Sequence, residues 1–139
     1  MKRKEVLRAV LVLLFCYAAL SKLLDFPDFH RQMLNQAFAP WFNRLLVYLV
    51  PSTELTAVIL LYFKKTITAG LWLSFCLMAG FTSYISLVLL HFWPRVPCSC
   101  GGILGHLSWE PHLVFNTIFL LITIIAIRST GEAENPVKE

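Results

Sequence analysis

Charge is the first thing this sequence lacks. Asp, Glu, Lys and Arg together make up 14% of its 139 residues and hydrophobic residues 58%, where ordinary globular domains carry about 25% and about 45–50%. A mean hydropathy of +0.69 makes lipid, not water, the expected solvent. Glycine is limited to six residues and forms no phosphate-cradling motif, which argues against a nucleotide site. No segment repeats. The four cysteines lack the doubled CxxC spacing of a structural zinc site. The net charge is +4, but the basic residues are scattered or flank apolar runs. No basic patch interleaved with aromatics is present, so nucleic acid is not an expected partner. The length allows one domain.

What is there is hydrocarbon in four long runs. A bilayer core of about 30 Å takes roughly 20 apolar residues in helix. The qualifying spans run from about Val6 to Leu24, Trp41 to Phe63, Thr66 to Phe92, and Pro111 to Ile127, the last being the shortest. Backbone groups in lipid must bond internally, so each is expected as a helix. The expected fold is an all-α integral membrane protein, a four-transmembrane-helix bundle over residues 1–128. A polar tail, residues 129–139, is expected to be disordered and cytoplasmic. Lys64-Lys65 divides the second span from the third and predicts a tight turn at one membrane face. With the N-terminus inside, eight Lys and Arg residues (2, 3, 4, 8, 64, 65, 128, 138) lie on the cytoplasmic side against four (22, 31, 44, 95) outside. That bias predicts cytoplasmic termini and an outward loop at 93–110, facing the periplasm if the membrane is a bacterial inner membrane. Met1-Lys-Arg-Lys followed by an apolar run resembles a signal peptide. Phe15 is too bulky for the lipoprotein cleavage site that Leu14-Phe15-Cys16 suggests, and an uncleaved first helix is expected.

Between the first two spans, Phe26, Phe29, Met33 and Leu34 recur at helical spacing. They predict a short amphipathic interfacial helix at the outer surface, with Asp28 placed to cap it.

The outward loop contains Arg95-Val-Pro-Cys98-Ser-Cys100-Gly-Gly. Three readings of the two thiols stay open. As a staple the pair is poor, since the stabilisation a disulfide brings grows with loop length. A tight bridge between residues two apart is feasible and would be readily reduced, which suits thiol–disulfide exchange. Gly101 and Gly102 leave the sulfurs uncovered, and backbone N–H groups with Arg95 favour a thiolate. The second reading is a copper or zinc site of Cys98, Cys100, His106 and His112, with His30 and His91 on the same side. The third is a pair of structural or idle thiols. Cys16 and Cys76 fall in mid-span and read as small hydrophobes.

Ionisable and amide groups inside the spans are costly and carry a functional hypothesis by default. Glu54 is a candidate for proton relay or for contact with a quinone head group; alternatively its carboxyl bonds to a neighbouring helix. Pro51, nearby, frees a backbone carbonyl. Lys22 and Asp25, three apart, are placed to pair at the outer end of the first helix. His112 and Asn116 share a face of the fourth helix below the cysteine loop, where His112 could exchange a proton with a reacting thiol. Ser74, Gly80, Ser83 and Ser86 suggest close helix contacts along the third span.

Three of these elements together carry a resemblance. Ser21-Lys22-Leu-Leu-Asp25-Phe at the end of the first span, Pro51-Ser-Thr-Glu54-Leu in the second, and Pro97-Cys-Ser-Cys-Gly-Gly before the fourth resemble the MauE branch of the DoxX-like membrane proteins, over about residues 5–128. Gly101 and Val58 depart from the family pattern, which often has phenylalanine and glycine there. The resemblance implies a bacterial inner-membrane protein linked to thiol–disulfide chemistry, working with a thioredoxin-like periplasmic partner or a maturing client, and in more distant relatives with quinone. Cys98 and Cys100 would be the redox pair, with Glu54 and Lys22 as the polar positions of the motifs. A thiol–disulfide oxidoreductase is the leading expectation. A non-enzymatic subunit of a larger membrane complex and a copper- or zinc-binding membrane protein are the alternatives.

Overall fold

The computed structural model describes residues 2–92 and 109–134. These form α1 (Lys2–Leu24), α2 (Phe26–Leu34), α3 (Pro40–Tyr62), a 3-10 turn at Lys64–Thr66, α4 (Ile67–Leu89) and α5 (Trp109–Glu134). There is no strand among the described residues. The helices α1, α3, α4 and α5 are each long and apolar enough to cross a membrane. Residues 93–108, which hold Cys98, Cys100 and His106, lie outside the described residues.

Local chemistry sets several boundaries. Pro40 stands at the start of α3, where its missing N–H is no loss and its fixed φ suits the helix. Pro51 is inside α3, yet the helix runs through it. Around it, Ser52 donates to the Tyr48 carbonyl at 2.5 Å, Thr53 to Leu49 at 2.9 Å and Thr56 to Ser52 at 2.7 Å. These hydroxyls bond back to carbonyls of the preceding turn on either side of the proline, none of them to the Val47 carbonyl that Pro51 leaves without its helical donor. At the end of α4, Phe92 N–H reaches the Leu87 carbonyl and His91 N–H that of Val88, both at 3.1 Å. His91 has φ 55°. This is the Schellman cap, with histidine in the left-handed position usually held by glycine.

Packing closes the spans into a ring: α1 against α3, α3 against α4, α4 against α5, and α5 back against α1. Leu11 and Phe15, Ala57 and Leu61, Leu71 and Met78, and Ala126 form the central core. A second cluster seats Phe29 and Met33 of α2 on Val47 and Val50 of α3, so the amphipathic segment lies along the first half of α3. Large apolar side chains such as Leu13, Ile59, Trp72 and Val114 are exposed, the pattern of a surface solvated by lipid.

Four sequence expectations change. Asp28 does not cap α2: the helix begins at Phe26, no side chain caps it, and Asp28 sits in its first turn, paired with Arg31 and hydrogen-bonded by Gln32 at 2.6 Å. The helix of the fourth span continues to Glu134, past the expected boundary at 128, although its membrane-crossing stretch, 22 residues at Glu110–Gly131, is the shortest of the four, as expected. The close helix approach falls at Gly70, not Gly80. A Cβ at Gly70 would lie 2.9 Å from Leu61 N, whereas one at Gly80 meets nothing within 4 Å. Finally, Lys22 does not pair with Asp25, for the reason that follows.

Candidate functional site

Lys22 belongs to the last turn of α1 and projects inward, and Asp25 is exposed. Glu54 lies on the buried face of α3, one turn after Pro51. Their relative exposures are 4% and 1%, and they meet: Lys22 Nζ donates to Glu54 Oε1 at 3.0 Å and Oε2 at 3.2 Å, and to the Ala18 carbonyl at 3.2 Å. Three acceptors match the three N–H groups of an ammonium. Inside a protein, Coulomb attraction at this separation far exceeds that of an exposed pair, so the interhelical partner wins over the neighbour three residues away.

The pair forms one wall of a cavity of about 60 Å³ bordered by α1, α3, α4 and α5. His112 and Asn116, 5% and 6% exposed, enter it from the first turns of α5, and Tyr84 from α4. Phe15, Met78, Phe81 and Phe115 supply the apolar remainder. Liquid water takes about 30 Å³ per molecule, so the chamber has room for one or two waters. Four residues named from the sequence (Lys22, Glu54, His112 and Asn116) therefore gather in one place, although they come from three helices. Such a set can hold water and pass a proton between an imidazole, a carboxylate and an ammonium.

Above the chamber a second polar layer was not singled out from the sequence. Tyr84 donates to Gln36 Oε1, and Gln36 is 1% exposed. Asn43 Nδ2 reaches the carbonyls of Leu34, Gln36 and Phe38 at 3.3, 3.0 and 3.4 Å, tying the α2–α3 connection to α3. The readable signal was an amide inside an apolar span, which needs a partner. On the α3–α4 face, Tyr84, Phe81 and Gln36 also border a groove of about 360 Å³ that continues over Thr53, Leu49 and Cys76 and past Gly80.

The remaining candidates are apart from this centre. Cys98, Cys100 and His106 fall outside the described residues, and the segment carrying them joins the end of α4 to the start of α5. His30 lies against Phe26, ring centroids 5.9 Å apart, and His91 caps α4. Among the described residues no three His, Cys, Asp or Glu side chains come together as a metal site. Cys16 and Cys76 are free thiols.

A family model described as methylamine utilisation protein MauE matches residues 3–129. No curated protein and no solved structure matches the chain.

Proposed function

The chain belongs to the MauE family, a family of multi-pass membrane proteins, and from that premise we propose that it performs thiol–disulfide exchange through Cys98 and Cys100 at the outer face of a bacterial inner membrane. Its partner is a thioredoxin-like protein or a maturing periplasmic client. The observation that carries this reading is the polar chamber at the head of α5, the helix to which the Cys-Ser-Cys segment is directly joined.

The reaction balances without an outside reagent. A partner thiolate attacks the Cys98–Cys100 disulfide, forming a mixed disulfide and releasing one thiolate. The partner's second thiolate then resolves the mixed bond. The partner dithiol becomes a disulfide, Cys98 and Cys100 become thiols, and two electrons and two protons have crossed. The same steps run in reverse. His112, in the first turns of α5, exchanges protons with the reacting thiols, and the Lys22–Glu54 pair below it holds the water through which those protons pass.

Two places offer polar contacts to a quinone head group: Glu54 on the chamber wall, and the groove on the α3–α4 face, with Gln36, Thr53 and Tyr84. A quinone held at either would supply a two-electron, two-proton acceptor.

The test is trapping in intact cells. After acid quench and alkylation, wild-type protein should divide between oxidised and reduced forms. Cys98→Ser or Cys100→Ser should accumulate a mixed disulfide that reductant dissolves. A pair fixed in one oxidation state, with the double serine variant retaining full function, would overturn the proposal in favour of a non-enzymatic membrane subunit.

A further inference from the structure

The opposite end of the bundle carries a second feature, independent of the cysteines. Lys4 and Arg8 follow one another by one turn of α1, and Lys64 opens the 3-10 turn before α4. All three border a cleft of about 370 Å³ between α1, α4 and α5, with Leu71 and Ala126 at its floor. The floor is buried, at 3% and 5% exposure. Glu5 is the only carboxylate bordering the cleft among the described residues. None of the three basic groups pairs with a described carboxylate, since the described ion pairs are Lys22–Glu54 and Arg31–Asp28. Three cations against one anion leave an excess of positive charge on the rim of an apolar slot.

We propose that this cleft binds the head group of an anionic phospholipid. A soluble anion would gain from the cationic rim but nothing from Leu71 and Ala126. A zwitterionic lipid presents a phosphate already compensated by its own ammonium. A phosphodiester of net negative charge, carried on a glycerol that also bears acyl chains, matches both parts of the slot. Lys and Arg stems lie along apolar surface while their charges stay at the head-group level. Because the cleft touches α1, α4 and α5 together, an occupied site ties three helices at the basic end of the bundle.

The experiment uses the full chain in phosphatidylcholine nanodiscs with and without phosphatidylglycerol, extracted gently and read by native mass spectrometry. Phosphatidylglycerol should be retained selectively over phosphatidylcholine. At the usual contribution of a basic residue near an acidic membrane, Arg8→Gln with Lys64→Gln should weaken retention about 30-fold. Arg3→Gln with Lys65→Gln removes the same charge from positions that do not line the cleft and should change retention little. Circular dichroism checks that both variants remain helical. Equal loss in the two double variants would overturn the proposal by reducing it to diffuse attraction. Displacement of the lipid by millimolar inorganic phosphate would overturn it in favour of a free-anion site.

Discussion

At the scale of single residues, the molecule is organised by one decision: where the ammonium of Lys22 goes. A charge buried among membrane-spanning helices is expensive, and removing one member of a buried pair leaves the other uncompensated. Glu54→Gln is therefore expected to lower unfolding free energy by about 3–5 kcal/mol, read by denaturant titration in mild detergent. The double variant Lys22→Met with Glu54→Leu should recover most of that loss, because apolar side chains replace a buried pair at little net cost. A double variant as damaged as the single one would show that the pair does not act as a unit. Asn43 makes a smaller version of the same point. Asn43→Ala removes a donor shared among three carbonyls and should cost about 1–3 kcal/mol, with proteolysis between α2 and α3 becoming faster. The sequence marked Lys22, Glu54, His112 and Asn116 as polar groups in hydrocarbon, and all four line the chamber. It offered Asp25 as the partner of Lys22 because proximity along a helix is visible in a sequence. The true partner is 32 positions away.

At the scale of the elements, glycine and a cap show where helix geometry is under constraint. The α3–α4 turn brings Gly70 against the backbone of Leu60 and Leu61. Backbone cannot move aside as a flexible side chain does, so Gly70→Ala should destabilise by about 1–3 kcal/mol. At Gly80, which has open space beside it, alanine should be neutral or stabilising by up to about 1 kcal/mol. Thermal unfolding of the two variants side by side tests the assignment, and similar penalties at both would refute it. The α4 cap makes a prediction of opposite sign. His91 holds a left-handed conformation that costs a non-glycine residue about 1–2 kcal/mol, so His91→Gly should raise the melting temperature. The amphipathic pattern of α2 was readable because Phe29 and Met33 fall on one helical face. That this face seats on Val47 and Val50 was not, since the loop between α2 and α3 sets the docking.

At the scale of the whole molecule, two ends of different character are separated by the apolar spans. Lys2, Arg3, Lys4, Arg8, Lys64 and Lys65 mark one end, and α2 with the α4–α5 connection marks the other. In a variant lacking native cysteines, Asp28→Cys should react with a membrane-impermeant maleimide added to intact cells. Lys65→Cys should react only after the membrane is opened. The reverse pattern would place the Cys98/Cys100 segment in the cytosol and remove the basis for exchange with a periplasmic partner.

The sequence by itself determined the solvent, the number of spans and the short amphipathic helix. These follow from composition and from periodicity within one segment, both of which are local properties. Only the tertiary structure decided that Lys22 faces Glu54, that α5 brings His112 and Asn116 to the same chamber, and that Gly70 marks the close approach. Each depends on the rotation and depth of one helix against another. Those are fixed by side-chain packing around the ring of helices, which no single segment encodes.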